Sequence, residues 1–343
     1  MKDVKGKKVF VGISGGVDSS VTAALLQKAG ADVYGIFIKG WYPAGMPCTW
    51  SEDRRDAMRV AAHLGIPFHT LDASLEYKKF VIDYLIREYG AGRTPNPDIM
   101  CNKEIKFGVF YDFAKKQGAD YIATGHYSQN KEGKIYRGVD SEKDQSYFLW
   151  AISPSALAMT LFPLGGFHKE QVRILAQEFA LPTAQKKDSQ GICFLGEISV
   201  ADFLKSECQV VDGNAVDEAG ALVGVHDGAL LYTLGERIAL RGTQQGPWYV
   251  QAKNLEENTI VVSKERIVSS TTNALAISNQ NFFTLPDSNE VITAHYRYHG
   301  PVLSGTYADR IFTATTQLPE AIPAGQSLVL YRNAQLLGGG IIC

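Results

Sequence analysis

The fold is decided by one stretch of sequence, Val9-Phe-Val-Gly-Ile13-Ser-Gly-Gly-Val-Asp-Ser-Ser20. Its apolar run predicts a buried strand, its glycines a sharp turn, and the apolar spacing over residues 18–29 a helix. Gly15 and Gly16 let the backbone approach a ligand without a Cβ in the way. The N–H groups of such a turn and of the helix N-terminus point at an anion. The stretch therefore predicts a phosphate-binding loop at the carboxyl end of a strand.

The loop differs from the two commonest phosphate-binding motifs. It has no Gly-Lys-Ser/Thr of a Walker A loop and no Gly-x-Gly-x-x-Gly of a dinucleotide site. It matches the PP-loop of the ATP pyrophosphatases, enzymes that cleave ATP to AMP and pyrophosphate. The hydroxyls of Ser14 and Ser19 would add hydrogen bonds to the phosphates, and Asp18 would hold Mg²⁺ or cap the helix. A tight turn without a ligand is the alternative interpretation.

Strands and helices alternate along the first half of the chain. Further strands are predicted at 33–38, 68–71 and 121–124, and helices at 51–64, 75–89, 103–117, 155–161 and 169–180. This order predicts an α/β fold with a parallel sheet, whose ligands bind beyond the carboxyl ends of the strands.

Beyond about residue 205 the pattern becomes β-rich. Runs at 248–253 and 259–263 predict a hairpin, and short runs at 291–298, 305–308, 311–316 and 327–331 are divided by Gly, Pro and Asn. The pattern therefore predicts a small all-β domain, a barrel, beyond about residue 205.

Composition excludes several classes of protein. The 343 residues are 45% hydrophobic and 10% aromatic, which excludes a disordered or fibrous chain. The net charge is −2, but residues 1–205 hold 26 basic and 23 acidic side chains while the remainder holds 8 and 13. A modest basic surplus in the first part leaves room for a nucleic-acid partner. With no signal peptide and no 18-residue apolar run, we expect a cytoplasmic protein.

Two of the five cysteines lie in polar, basic loops. Cys101 ends Asn96-Pro-Asp-Ile-Met-Cys101, and a helix predicted to begin just after it, with Lys103 and Lys106 nearby, would favour the thiolate. Asp98 is close enough to serve as its general acid or base. Cys193 lies in a loop that begins at Lys186-Lys187 and is bracketed by Gly191 and Gly196.

The alternative for any cysteine is a buried small hydrophobe, and we keep that interpretation for Cys48, Cys208 and Cys343. The absence of Cys-x-x-Cys argues against a zinc ribbon or a cluster held by that motif. We expect no permanently bound metal or iron–sulfur cluster.

Several blocks of sequence, in order, give a resemblance over nearly the whole chain. They lie at residues 12–20, 92–107 (Gly-Arg-Thr-Pro-Asn-Pro-Asp-Ile-Met-Cys-Asn-Lys-Glu-Ile-Lys-Phe), 123–127 (Ala-Thr-Gly-His-Tyr), 143–148 (Lys-Asp-Gln-Ser-Tyr-Phe), 188–194 (Asp-Ser-Gln-Gly-Ile-Cys-Phe) and 337–342 (Leu-Gly-Gly-Gly-Ile-Ile). The chain resembles the tRNA-specific 2-thiouridylases, the MnmA/TrmU family. The resemblance implies three domains: a PP-loop catalytic domain with a helical tRNA-contacting part (1–205), a small central domain (206–266) and a C-terminal β-barrel (267–343).

The resemblance also implies a reaction. In the family, ATP (with Mg²⁺) adenylates the C2 oxygen of the wobble uridine, position 34 of the tRNA, with release of pyrophosphate. A persulfide sulfur then displaces AMP and leaves 2-thiouridine. By motif position Cys193 would carry the persulfide, and Cys101 would release the sulfur as the two form a Cys101–Cys193 disulfide. Asp98 would move protons, and Asn96, Pro97 and Asp98 would contact the target base.

Binding residues carry over in the same way. ATP would bind at Gly12, Ile13, Ser14, Gly15, Gly16, Val17, Asp18, Ser19, Ile38 and Gly125. The tRNA would contact Lys143, Asp144, Gln145, His295, Tyr296 and Arg297. The family implies glutamate, glutamine and lysine tRNAs as substrates, and a cysteine desulfurase, acting directly or through a relay, as sulfur donor.

The sequence departs from the family pattern at three positions. Ile38 stands where the family usually has Met, Gly40 replaces an Asn, and His295 lies where relatives often have Arg. A neutral His weakens a phosphate contact. For residues 143–145, a solvated polar turn is an equal alternative when the sequence is read without the family.

Two other functions compete with this one. A PP-loop ATPase that adenylates another carbonyl would have no need for two reactive cysteines. A non-catalytic tRNA-binding adaptor would keep the nucleotide fold only as a scaffold, and the intact loop with Asp98, Cys101 and Cys193 argues against such decay.

Overall fold

The computed structural model describes residues 3–42, 50–187, 199–243, 246–266 and 272–343. In the N-terminal part the strands are β1 (Lys8–Gly12), β2 (Asp32–Lys39), β3 (Phe68–Asp72), β4 (Tyr121–Ala123), β5 (Ser128–Lys131), β6 (Lys134–Arg137) and β7 (Thr160–Leu161). The helices are α1 (Val17–Lys28), α2 (Trp50–Leu64), α3 (Ser74–Tyr77), α4 (Asp83–Gly90), α5 (Pro97–Met100), α6 (Phe110–Lys116), α7 (Pro154–Ala158) and α8 (Lys169–Glu178).

Five of these strands form the parallel sheet that the sequence predicts, in the order β3-β2-β1-β4-β7. The side chains of β1 alternate between two apolar clusters. Val9 and Val11 pack with Val33 on one face, whereas Phe10 packs with Ile122 on the other. Both faces of the central strand are thus buried, as is usual for a parallel sheet covered by helices. The α/β prediction is confirmed.

Two long helices contain π-helical segments. Lys78–Ile82 joins α3 to α4, and Cys101–Val109 joins α5 to α6. The second helix therefore runs from Pro97 to Lys116 without a break, six residues longer at its start than the predicted 103–117. Short 3₁₀ turns occur at Ser146–Leu149 and Pro163–Gly166.

The predicted helix at 155–161 is wrong in its second half. A hydrogen bond from the backbone N–H of Ala156 to the Ser153 hydroxyl caps α7, which then ends at Ala158. Thr160 and Leu161 pair with β4 instead and extend the parallel sheet by one strand. The competing preference here is tertiary: a buried position beside β4 overrides the helical spacing of a short apolar run.

A short helix and two β structures follow. They are α9 (Val200–Glu207), the central strands β8 (Gly213–Val216), β9 (Leu222–His226), β10 (Arg237–Ile238), β11 (Trp248–Asn254) and β12 (Thr259–Ser263), and then β13 (Ala274–Phe282), β14 (Ile292–His295), β15 (Val302–Ala308), β16 (Ile311–Ala314), β17 (Ser327–Arg332) and β18 (Gln335–Ile342). The central sheet has the order β10-β11-β12-β8-β9. The boundary predicted between residues 205 and 206 falls inside α9.

The last six strands close into a barrel because β13 pairs with both β16 and β18. The hairpin β5–β6, which belongs to the N-terminal part of the chain, extends this sheet: Tyr136 of β6 lies opposite Gln335 of β18, and Ile135 opposite Leu336. The sequence analysis does not predict this hairpin. Its strands are four residues each and polar, so they carry little periodicity of their own. In the described part of the chain, no helix is both long and apolar enough to cross a bilayer.

Candidate active site

The nucleotide loop is built by close packing that only glycine permits. Gly15 has φ +79°, and a Cβ there would lie 2.3 Å from the carbonyl oxygen of Asp53 in α2. Gly16 is the N-cap of α1 and has no side-chain capping partner. The hydroxyl of Ser19 accepts the backbone N–H of Ser14 at 3.1 Å and lies 3.2 Å from the Ser14 hydroxyl. The two serines thus fix the turn that precedes the helix.

The carboxyl end of β4 completes the loop. A Cβ on Gly125 would lie 2.9 Å from the backbone nitrogen of Ser19 and 3.1 Å from the Cβ of Asp18. Only a residue without a side chain allows β4 to approach the first turn of α1 so closely. Ile38 lies on β2, next to β1 in the sheet, and is partly buried between two apolar clusters. The structure therefore places the predicted ATP residues at the carboxyl ends of β1, β2 and β4.

Asp18 does not cap the helix, and its predicted role as a Mg²⁺ ligand stays a prediction. Both of its carboxylate oxygens accept hydrogen bonds from the Lys169 ammonium, at 2.7 and 2.9 Å, and one also accepts the Tyr127 hydroxyl at 2.8 Å. The cap belongs to Gly16, as described above. Lys169, the first residue of α8, is a cation beside the loop that the sequence analysis missed. No local motif marks it, because it lies 151 residues from Asp18.

A second lysine links the chain before Cys193 to the nucleotide loop. The ammonium of Lys186 lies 2.8 Å from a carboxylate oxygen of Asp53 and 2.8 Å from one of Asp56. Nearby, the buried hydroxyl of Thr183 lies 3.0 Å from that of Ser20 in α1. The ammonium of Lys186 keeps the pKa of Asp56 below its ordinary value, against the opposing effect of burial.

Two of the five cysteines, Cys48 and Cys193, lie outside the described residues. The same holds for Gly191 and Gly196, which bracket Cys193 in the sequence.

Cys101 is placed differently from the sequence prediction. The helix begins at Pro97, four residues before Cys101 rather than just after it, and the side chain of the N-cap Asn96 accepts the backbone N–H of Ile99 at 3.3 Å. Proline is favoured in the first turn of a helix, where its missing N–H costs nothing. Pro97 therefore starts the helix, in a stretch for which the sequence analysis predicts a loop.

As a result, the Cys101 thiol is buried in the second turn of the helix, with 3% of the residue exposed. It packs in an apolar cluster with Tyr77, Val81 and Ile105. Asp98, half-buried in the first turn, occupies the position where the helix dipole favours a negative charge. The exposed Lys103 lies 2.9 Å from Glu104. The predicted activation of Cys101 by a helix N-terminus is therefore wrong in geometry.

His126 follows Gly125 and is enclosed. Its Nδ1 lies 2.7 Å from the hydroxyl of Thr124, and its ring contacts Phe107 and Phe162. Burial, together with the positive charge of Lys106, holds the pKa of His126 well below its ordinary value. The ring is therefore neutral and anchors this turn.

Asp144 and His295, one from each predicted set of tRNA contacts, meet at one junction through Arg137. Asp144 is buried, and its carboxylate bonds Arg137 of β6 at 3.1 Å and the backbone N–H of Gly138 at 3.0 Å. The other terminal nitrogen of Arg137 donates to Nε2 of His295 at 2.7 Å. Gln145 accepts the backbone N–H of Tyr127 at 3.1 Å. Asp144 and Gln145 therefore fix the local fold, and His295 faces Arg137.

Tyr296 and Arg297 belong to a neighbouring cluster around Glu320. The carboxylate of Glu320 accepts the Tyr296 hydroxyl at 2.7 Å, and Arg297 and Arg266 lie 3.2 and 2.8 Å from it. Tyr296 is buried, whereas Arg297 is half exposed. Burial, and then the Glu320 carboxylate, raises the pKa of Tyr296 above its ordinary value. Among these residues, Arg297 and Arg266 present the accessible positive charge.

The comparisons with known proteins cover the whole chain. Three family models match: the tRNA methyl transferase HUP domain over residues 7–197, the tRNA methyl transferase PRC-barrel domain over 201–264, and the aminomethyltransferase beta-barrel domain over 272–342. The tRNA-specific 2-thiouridylase MnmA of Enterococcus faecalis is 42% identical, covering 100% of this chain and 96% of its own length. The chain belongs to the MnmA family of tRNA-specific 2-thiouridylases. The MnmA of Streptococcus agalactiae has the same identity and coverage.

Solved structures resemble the chain more distantly. The U34-tRNA thiolase NcsA of Methanococcus maripaludis, solved with its [4Fe-4S] cluster, is 17% identical, with a TM-score of 0.39 over 60% of this chain and 65% of its own. NMN synthetase from Francisella tularensis is 18% identical, with a TM-score of 0.36 over 54% and 67%. In the described part of this MnmA-family chain, no group of three or more His, Cys, Asp or Glu side chains is arranged to hold a metal ion.

Proposed function

We propose that this chain is an ATP-dependent tRNA 2-thiouridylase. Its PP-loop binds MgATP as a substrate, and the C2 oxygen of the wobble uridine attacks the α-phosphate and releases pyrophosphate. The terminal sulfur of a Cys193 persulfide then forms the C–S bond at C2 as the C–O bond to AMP breaks. The thiolate of Cys101 attacks the remaining S–S bond, so that the products are 2-thiouridine, AMP and a Cys101–Cys193 disulfide. Thiols of the cell reduce that disulfide for the next turnover.

One observation carries the proposal: the nucleotide loop, which requires glycine at position 15, lies in the same matched domain as Asn96, Asp98 and Cys101. Full-length relatives with 42% identity are named tRNA-specific 2-thiouridylases, which supports this assignment. Activation by ATP has a clear chemical purpose. A carbonyl oxygen is a poor leaving group until it is esterified to a phosphate.

The buried thiol adds a requirement to the mechanism. Cys101 is covered by the apolar cluster that includes Tyr77, so the target base reaches it only after this cluster opens. We assign the opening to the binding of tRNA at Asn96, Pro97 and Asp98. Asp98 is half-buried at the first turn of the same helix and serves as the proton carrier.

The partners and the compartment belong to the same proposal. We propose glutamate, glutamine and lysine tRNAs as the substrates and a cysteine desulfurase, acting directly or through a relay, as the sulfur donor. The reaction would take place in the cytoplasm, where thiols are kept reduced. The basic surplus of residues 1–205 favours a polyanionic partner.

The test separates the two half-reactions. Purified protein, a tRNA with uridine at position 34 and MgATP are assayed for pyrophosphate release, and the nucleosides are analysed by mass spectrometry after a persulfide donor is added. We expect the Cys101→Ser variant to release pyrophosphate once per bound tRNA but to form no 2-thiouridine. The matched control is Cys343→Ser, which changes an exposed thiol in the barrel and should behave as the wild type.

Two results would contradict the proposal. Full sulfur transfer by Cys101→Ser would show that the second thiol is not needed, as in a PP-loop ATPase of another kind. No tRNA-dependent pyrophosphate release by the wild type would favour the adaptor.

A further inference from the structure

Thr94, two residues before Asn96, is held by the barrel through its backbone. Its N–H donates to the carbonyl oxygen of Ala324 at 2.8 Å, and its carbonyl oxygen accepts the side-chain amide of Gln326 at 2.8 Å. Both backbone polar groups of this buried residue are therefore satisfied by one loop of the barrel. The partners lie about 230 residues apart along the chain, so forming this contact costs the conformational entropy of closing a long loop.

The fit between the two loops leaves no space for a side chain. Gly325 has φ +91°, and a Cβ there would lie 3.0 Å from the Thr94 backbone nitrogen and 3.0 Å from the Arg93 Cβ. The barrel loop is itself fixed, because the N–H of Gly325 donates to the carbonyl oxygen of Ile342 in β18 and the N–H of Ile342 donates back to Gln326. Thr94 thus contacts a rigid part of the barrel.

The central domain contacts the same short segment. The Thr94 hydroxyl lies 3.3 Å from that of Thr233, and a Cβ on Gly92 would lie 3.3 Å from the Leu255 side chain. Residues 92–94 are therefore the point at which all three parts of the chain meet.

A cleft of about 160 Å³ opens at this point. Gln326 and Thr233 line it, together with Arg297, one of the residues expected to contact tRNA. A polyanion bound at Arg297 would therefore lie next to the side chain that holds Thr94.

We propose that the barrel and the central domain set the position of the catalytic helix start, with Thr94, Gly325 and Gln326 as positioning residues. This inference rests on the proposed function. Asn96 and Asp98 lie two and four residues after Thr94 in the chain. A shift of Thr94 therefore moves Asn96, the predicted base contact, and Asp98, the predicted proton carrier, together. The nucleotide loop has no residue in this contact and keeps its geometry when the contact is broken.

The test compares two glycines with the same backbone conformation. Gly325→Ala introduces a Cβ against Thr94, whereas Gly220→Ala, at φ +84° in the central domain, meets nothing within 4 Å. Both variants carry a similar strain from the left-handed backbone. We expect Gly325→Ala to lower the maximal rate of tRNA-dependent pyrophosphate release about tenfold or more, because misplaced catalytic groups lose rate steeply. ATP binding and tRNA affinity should stay within about twofold of Gly220→Ala, which should match the wild type.

A second variant avoids the backbone strain. Gln326→Met keeps the length of the side chain but removes the donor to Thr94, and we expect the same loss of maximal rate to a smaller extent. Equal rates for Gly325→Ala and Gly220→Ala would overturn the proposal, as would unchanged rates in Gln326→Met if Gly325→Ala does not fold. A loss confined to tRNA affinity would also overturn it. An inactive wild type would instead contradict the proposed function.

Discussion

His295 is a half-buried side chain that contacts a distant part of the chain. Its Nε2 accepts a hydrogen bond from Arg137, which fixes the proton of the neutral ring on Nδ1. Burial, and then the positive charge of Arg137, lowers the pKa of His295 to about 4, while Asp144 opposes this shift. A neutral histidine therefore suits this position beside Arg137, where relatives often have arginine. A second guanidinium would face Arg137.

The protonation of His295 makes stability depend on pH. The unfolded chain takes up this proton as the pH falls below about 6.5, whereas the native state resists it until about pH 4. The native state therefore loses stability between these two values and not above them. His295→Gln keeps an acceptor for Arg137 but cannot take up this proton. When the pH falls from 7.5 to 5, we expect the free energy of unfolding to drop by about 1–2 kcal/mol less in this variant than in the wild type.

The measurement is chemical denaturation at both pH values. His126 and His226 also have lowered pKa values through burial, but they are present in both proteins and cancel in the comparison. The same pH dependence in the two proteins would show that His295 is protonated in the folded state as readily as in the unfolded chain.

At the residue scale, the sequence indicates which residues belong to the candidate site but not which other residues they contact. Gly15 and Gly125 are predicted to bind ATP, which stays a prediction, and the close approaches at both positions require glycine. The pairing of Asp18 with Lys169 could not be predicted, since it depends on the folded path of the intervening chain. Burial of Cys101 was missed for the same reason: its covering residues come from other helices.

At the element scale, the helix that begins at Pro97 combines two roles for Asn96. Its side chain caps the helix, and the family resemblance predicts that it contacts the target base. We expect Asn96→Ala to lose about 1 kcal/mol of stability through the missing cap and to lose 2-thiouridine formation as well. Asn96→Asp keeps the capping oxygen, so it should retain its stability while losing the reaction, because a carboxylate cannot donate as the amide does.

Thermal unfolding and nucleoside mass spectrometry distinguish these outcomes. Wild-type rates in Asn96→Asp would mean that the amide group has no part in recognition of the base.

The same helix explains where element prediction failed. Cap and proline preferences place its start at Asn96-Pro97, whereas the sequence analysis predicts a helix that begins only after Cys101. The middle of this helix, Cys101–Val109, is π-helical, and sequence periodicity does not predict a π-helix. The strands of the parallel sheet are predicted within one or two residues, apart from the two-residue β7, and the continuous apolar run of β1 gives the clearest signal.

At the scale of the whole molecule, the N-terminal sheet and the barrel share one apolar cluster. It joins Phe10 and Ile122 of the parallel sheet with Tyr331 and Leu336 of the barrel. We expect Leu336→Ala to cost about 2–5 kcal/mol and to speed amide hydrogen exchange in both regions. Ile260→Ala, an equally buried site in the central sheet, should raise exchange mainly in that sheet.

Exchange monitored by mass spectrometry tests this coupling. Faster exchange confined to the barrel in Leu336→Ala would show that the two regions open independently.

The change from alternating strands and helices to a β-rich pattern near residue 205 is visible in the sequence, whereas the division of the β-rich part into a central domain and a barrel comes from the family resemblance. The placement of the boundaries remains a prediction. The addition of β5–β6 to the barrel was not visible, because its strands pair with residues about 200 positions later. Contacts of this range are set by tertiary packing rather than by local pattern.

That hairpin also has a consequence for biosynthesis. Residues 128–137 leave the ribosome long before residues 335–342, their neighbours in the sheet. At a synthesis rate of roughly 5–20 residues per second, the outer edge of β6 stays unpaired for about 10 seconds or more. An open strand edge can join other chains during that interval. Residues 335–342 therefore complete a sheet in a part of the chain made much earlier, and a chain that stops before them would leave that sheet edge exposed to neighbouring chains on the polysome.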